Sequence, residues 1–340
     1  CHLDIKSKIM DNTYFILSKN ALSIERLQIC TWKLKGKHAF LEMGVEIKKE
    51  NLPDEFDVFL AVPFAKNIIG KYSLHDQLAV ADNCKLIFND TMTSQQPIDR
   101  DFHKGYVISF ENREQLAIVS VDLDIMGEEG LIKLHVKTPQ EDAASVYVRF
   151  LVKLNCNDLA VVHAGINKKT FIFDFKVNET RNLPECVYKY KEEHGLRVCP
   201  VSSVFLFHCV PDNFDISYID SGKLKNVRRL ETIGFNKYLN GIETIDEDKY
   251  MIVFLKSSGF ENYSFFTTFV KEHIGNKQII FAVLANIVCS VLLAYDKWIN
   301  WELVKQLIYY GSFIPVWGYF AIGFIGLVIY VGLTVDLNKL

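Results

Sequence analysis

The chain has 340 residues, 49% of them hydrophobic and 23% charged, with a formal net charge of −3. That balance excludes a disordered polyelectrolyte, and an acidic body repels duplex nucleic acid unless a local basic patch supplies the attraction. The length allows two or three domains, and the eight cysteines follow no disulfide or C-x-x-C spacing, so they read as reduced thiols in a cytosolic body.

The first twenty residues mix Asp4, Lys6, Lys8 and Asp11 with apolar residues and do not read as a secretion signal. Cys1 suits either a lipoprotein terminus or a trimmed end. From 13 to 155, short apolar runs alternate with polar residues, predicting strands at 14–17, 24–34, 39–47, 56–62, 106–110, 115–125, 131–136 and 145–154. Gly127-Glu128-Glu129-Gly130 and Glu111-Asn112-Arg113 read as hairpin turns among the last four. Eight strands at this spacing predict a β-sandwich over 1–157, with a distorted barrel as the other closure. Within it, Lys33, Lys35 and Lys37 alternate beside Trp32, which suits base stacking or lysine protection of a sheet edge. Asp122 and Asp124 share one strand face, either solvated or a carboxylate pair.

A second β-rich domain is expected over 158–260, beginning at the Asn155–Asp158 turn, with one larger sheet system as the alternative. Its strands are predicted at 159–164, 170–177, 203–210, 214–218 and 250–255. Residues 183–200 read as a charged loop or short helix. Lys223, Lys225, Arg228 and Arg229 fall within seven positions after Gly222: a solvated basic loop, or a cluster gathered around a phosphate-bearing ligand.

His208 and Cys209 are strand neighbours and face opposite sides, so they cannot clamp one metal. Cys186, His194, Cys199 and His208 match no zinc spacing, so neither a metal nor a cofactor is expected. The chain has no P-loop, dinucleotide fingerprint, H-E-x-x-H or nucleophile elbow, and no catalytic constellation marks it as an enzyme.

Residues 261–277, with Phe265, Phe266, Phe269, Val270 and Ile274, are predicted as a connector helix broken at Gly275. The 278–340 segment then holds two charge-free apolar runs, 278–295 and 307–335, on either side of a turn carrying Trp298, Trp301 and Tyr309. A bilayer core is about 30 Å thick and a helix rises about 1.5 Å per residue, so each run is long enough to span. The expectation is an α-helical transmembrane hairpin with an aromatic elbow at the headgroups. Asn286 and Ser290 form a weakly polar stripe on the first span, suited to an interhelical hydrogen bond or to pore lining. Pro315 breaks the second run, and Gly311, Pro315, Gly318 and Gly326 present a small-residue face for helix or subunit contact. Lysines on the two sides of the hairpin nearly balance, so the unsignalled body sets the orientation: plasma (inner) membrane, with the body and both termini cytoplasmic.

A β-rich sensor body followed by a minimal transmembrane unit resembles bacterial anti-phage effectors. In domain order and length it is most similar to the membrane effector of the Hailong system, where a nucleotidyltransferase partner makes an oligonucleotide that restrains a membrane channel. The resemblance implies an oligonucleotide or nucleotide ligand made by a partner enzyme, and membrane depolarisation as the output. Two spans cannot enclose a pore, so a homo-oligomer in membrane lipid is implied, and a charge-free lumen makes the leak weakly selective. The other reading is a membrane-anchored scaffold or assembly factor, with the hairpin as anchor and the β-domains as docking surfaces.

Overall fold

A computed structural model describes residues 13–33, 38–100, 103–165, 167–245 and 249–272, and further along the chain 280, 282–287, 289–290 and 309. In chain order the strands are β1 (Thr13–Ser18), β2 (Ile24–Trp32), β3 (His38–Lys48), β4 (Glu55–Ala61), β5 (Gly70–Ser73), β6 (Met92–Arg100), β7 (His103–Phe110), β8 (Leu116–Val119), β9 (Asp122–Met126) and β10 (Leu131–Lys137). They continue with β11 (Ser145–Asn155), β12 (Val161–Ala164), β13 (Lys168–Val177), β14 (Arg197–Val198), β15 (Ser203–Pro211), β16 (Asp215–Ile219), β17 (Leu224–Arg229), β18 (Tyr250–Ser258) and β19 (Tyr263–Glu272). Short helices interrupt them: α1 (His75–Leu78), α2 (Ala81–Phe88), α3 (Cys156–Leu159), α4 (Glu185–His194) and α5 (Thr232–Tyr238).

The strands form two large mixed sheets, so the body is β-sandwich-like. The first runs β16-β19-β13-β1-β4-β10-β9, with β12 on β13 and β14 on β1. The second runs β17-β18-β15-β2-β3-β11-β8-β7-β6, with β5 on β11. Both draw strands from either side of the Asn155–Asp158 turn, since β13 pairs with β1 and β15 with β2, each in parallel. The described residues up to Lys271, apart from 164–169, belong to one compact unit.

The main core is built from one face of each sheet. Tyr14 and Ile16 of β1, Val58 and Leu60 of β4 and Phe173 and Phe175 of β13 pack with Leu27 and Ile29 of β2 and with Val204 and Leu206 of β15. Period-two alternation sends the remaining residues of the second sheet outward, yet many of these are buried too. On β3, Leu41, Met43, Val45 and Ile47 join the main core while Phe40 joins a second cluster beneath α1, α2 and α5. A strand covered on both faces reads as one continuous apolar run, as β11 does with SVYVRFLVKLN. On the first sheet, α4 covers part of the outer face through Val187, over Phe15, Leu17 and Phe59.

Several sequence expectations are corrected. The connector helix expected over 261–277 is instead strand β19 through Glu272. Tyr263, Phe265, Thr267 and Phe269 are buried while Ser264 and Phe266 are exposed, a period of two, and the aromatic and β-branched sequence favours a strand. The single strand expected at 115–125 breaks at Ser120, where β8 leaves the second sheet and β9 enters the first. The 159–164 strand is divided between α3 and β12, with Asn155 capping α3 in a capping box with Asp158. The charged stretch at 183–200 contains α4, closed by Gly195 at φ 64°.

The transmembrane hairpin expected over 278–340 lies almost wholly outside the described residues. Within it, 282–287 are helical, with Val283, Leu284 and Ile287 about half exposed. Ser290 Oγ donates to the Asn286 carbonyl at 2.8 Å. Among the described residues no helix is long and apolar enough to cross a membrane. Gly311, Pro315, Gly318 and Gly326 lie outside the described residues.

Candidate functional site

The outer face of the second sheet is only partly roofed by helices, and what they leave open is a cleft of about 440 Å³. Strand register builds its floor. Phe207 stands opposite Phe254 across β15 and β18, Phe254 opposite Asn226 on β17, and Ile252 opposite Arg228. The Phe207 and Phe254 rings are stacked, 4.6 Å apart and 8° from parallel, with Phe205 5.6 Å from Phe254. Arg26 and Gln28 of β2 close one side, and the Leu86–Asn89 end of α2 forms the wall. Asn89 ends α2 in the left-handed region, φ 53°, which asparagine tolerates better than most residues.

The rim is cationic. Arg26, Lys225 and Arg228 line the cleft, and among the described residues no carboxylate does. The Arg26 guanidinium lies 4.7 Å above the Phe205 ring, which Lys256 also approaches at 5.0 Å, both within cation–π range. Arg26 Nε is 3.7 Å from Glu46 Oε2, a loose pairing, because Glu46 Oε1 accepts from Arg113 Nη2 at 2.9 Å. Arg113 in turn lies over Phe88 and Phe110, tying the α2 wall to the sheet. Lys225 is the extra residue of a bulge between Leu224 and Asn226, at the exposed edge of the sheet.

Of the four basic residues singled out in the sequence, the cleft therefore brings together Lys225 and Arg228. They sit on strand β17 rather than in a loop, because an edge strand with one solvated face can be nearly all polar. Lys223 points to other partners: its Nζ is 2.9 Å from Asp220 Oδ2 and donates to the Ser264 carbonyl at 2.8 Å. The contact with Lys223 holds the Asp220 carboxyl below its usual range. Lys223, Lys225 and Lys256 also line a shallower hollow beside Phe260. Arg229 is exposed but does not line the cleft.

Beneath the cleft lies a buried polar network. Gln28, a cleft residue, accepts at Oε1 from Arg149 Nη1 and from the Tyr147 hydroxyl, each at 2.6 Å. Arg149 Nε donates to Glu42 Oε1, and Trp32 Nε1 donates to Glu42 Oε2 at 3.0 Å. The Tyr238 hydroxyl donates to Glu42 as well. Burial would lower the Arg149 pKa, but the Glu42 charge and the two tyrosines outweigh it and hold the guanidinium firmly protonated. Burial pushes the Tyr238 hydroxyl well up.

Other sequence candidates resolve differently. Trp32 is fully buried against Phe235, so it cannot stack an incoming base. Asp122 and Asp124 are exposed on one face of β9. His208 packs against Phe173 in the main core, while Cys209 on the opposite face meets Cys30, their sulfurs 3.7 Å apart. Among the described residues no three metal-ligating side chains come together.

Sequence reading missed Arg26, Phe205, Phe207, Phe254 and Asn89. A signal was present, since V-F-L-F in β15 and F-L-K in β18 alternate so that Phe205, Phe207, Phe254 and Lys256 share one face. No protein-family model and no curated protein matches the chain. Among solved structures the chain aligns with the Capitella teleta AChBP in complex with lobeline at 9% identity, covering 76% of this chain and 84% of that one, with a TM-score of 0.12.

Proposed function

We propose that this chain is a ligand-controlled membrane effector. Its β-sandwich-like body binds an anionic, nucleotide-type ligand, and its C-terminal 278–340 hairpin inserts in the plasma membrane and assembles into a weakly selective pore. The observation that carries the reading is the pairing, in one chain, of a cleft lined by three cations and, among the described residues, by no carboxylate, with two charge-free apolar runs long enough to span a bilayer. The exposed apolar side chains of the 282–287 helical stretch support a lipid-facing destination for that segment. Asn286 and Ser290 line or pack the assembly, and the Gly311, Pro315, Gly318 and Gly326 face brings neighbouring helices close.

The test is induced expression with a potential-sensitive dye. The chain is expected to arrest growth and depolarise the membrane, and Asn286→Leu and Gly318→Leu to suppress both. Full function with an unrelated membrane anchor in place of 278–340 would instead establish the scaffold reading, in which exposed Tyr218, Phe260 and Phe266 are docking residues.

A further inference from the structure

We infer that the cleft over β15 and β18 takes a planar aromatic anion, one unpaired nucleotide in size, by stacking as well as by charge. The inference deepens the proposed function by naming the site and the chemistry of the ligand, and it stands on the cleft alone. A site for a simple anion needs donors and positive charge; an aromatic floor adds nothing to it. Here the floor is three phenylalanines, all half-buried although one face of the sheet is open to them. Half-buried aromatic faces beside unshielded cations suit a ligand with a flat ring at one end and negative charge at the other.

The placement of charge gives the orientation. Arg26 is already laid over Phe205, so its guanidinium is held flat at the edge of the platform, with donors free beyond its loose contact with Glu46. Lys225 and Arg228 rise from the opposite side on β17; Arg228 has Glu231 only at 3.9 Å, and Lys225 has no ion partner among the described residues. A phosphate on that side is bound by two cations while the ring continues the Phe207–Phe254 stack on its open outer face. Asn89 and Asn226, both exposed, supply amide donors and acceptors around the platform, the groups that read base edges. A duplex cannot use the floor, because its bases are paired and stacked on one another.

The test is equilibrium binding to the full chain in detergent. The probes are AMP and UMP, the parent nucleosides, inorganic phosphate, a short single-stranded oligonucleotide and a duplex of the same sequence. Monophosphates are expected to bind at least about tenfold more tightly than either nucleoside or phosphate, and the duplex not at all. Phe254→Leu, which keeps an apolar side chain but removes the ring, should weaken monophosphate binding by roughly 5- to 150-fold, the range of one base stack. Arg228→Gln should weaken it about tenfold or more, while Arg229→Gln, off the cleft, should leave it unchanged. Tighter binding of the single strand than of the monophosphates identifies a strand end as the ligand and keeps the inference. Phosphate binding as tightly as AMP, or Phe254→Leu without effect in a folded variant, overturns it. Binding as expected without any membrane response would leave this site standing and remove the effector reading instead.

Discussion

Arg149 and Glu42 form an ion pair, 2.5 Å between Nε and Oε1, with side-chain exposures of 5% and 0%. They lie on adjacent strands, Glu42 opposite Leu151 and Arg149 opposite Gly44, in the layer between the second sheet and its helices. Both carboxylate oxygens and the guanidinium Nε and Nη1 have neutral partners as well, so the charges are desolvated but hydrogen-bonded. Removing one partner strands the other. Glu42→Leu is expected to cost about 3–5 kcal/mol, and the double variant Glu42→Leu/Arg149→Met markedly less than the sum of its parts. Urea unfolding of the four proteins measures this, and a Glu42→Leu cost below about 1 kcal/mol would refute the account.

Gly44 is required by the same network. A Cβ at this position would overlap the Tyr147 hydroxyl oxygen and lie 2.8 Å from Cζ. Tyr147 cannot swing aside without losing its bonds to Gln28 and Arg149. Gly44→Ala should therefore destabilise the fold by about 1–3 kcal/mol through overpacking. Gly44→Ala combined with Tyr147→Leu should be less damaging than the two costs added, because the obstructing ring is gone. Equal melting temperatures for the wild type and Gly44→Ala would show that the network yields more easily than its hydrogen bonds imply.

His208 makes the fold sensitive to acid. It is fully buried among Phe173, Phe175 and Phe269, and burial pushes its pKa down from 6.5 to about 3. Above pH 6.5 the ring is neutral in both folded and unfolded chains and costs nothing. As pH falls from 6.5 towards 3 the unfolded chain takes up a proton that the folded one refuses, and up to about 5 kcal/mol of stability is lost. Asp57, whose pKa is lowered by hydrogen bonds from His135 and Lys133 against a desolvation effect, also loses stabilisation in acid, but only as pH falls through the carboxylate range. His208→Asn, neutral throughout and able to bond Thr31 as Nδ1 does at 2.8 Å, isolates the histidine. Its stability should fall less steeply than the wild type's as pH drops below 6.5. Parallel curves for the two proteins in that window would exclude His208 as the cause.

These features separate what the chain displays from what only folding reveals. Strands β1, β3, β10 and β11 are legible because each alternates or runs apolar between clear turn residues, and Gly127 to Gly130 marks the β9–β10 turn. The break at Ser120 is hidden, because the apolar alternation runs on while the chain changes sheets. Strand β17 carries Lys225, Arg228 and Arg229 and looks like a loop; its strand character comes from hydrogen bonds to β18, which no local pattern encodes. The basic side of the cleft is visible in the sequence as a cluster. The aromatic side is not, because Phe205, Phe207 and Phe254 read as ordinary core residues until the helices are seen to leave them uncovered.

Where the chain turns from body to tail gives the last prediction. Strand β19 supplies Phe265 and Phe269 to the main core and ends at Glu272, and no described residue beyond it belongs to a buried cluster. Every described strand of the two sheets lies before position 273, and deleting β19 itself would unroof Phe173 and His208. A chain ended after Glu272 should be soluble without detergent and unfold cooperatively with the same urea midpoint as the full-length body. One ended after Phe260 should aggregate, since it leaves β13 and β16 without the strand between them. Carbonate washing of vesicles should release the form ended after Glu272 and retain the full chain. Release of both would show that the apolar tail is held by protein rather than by lipid.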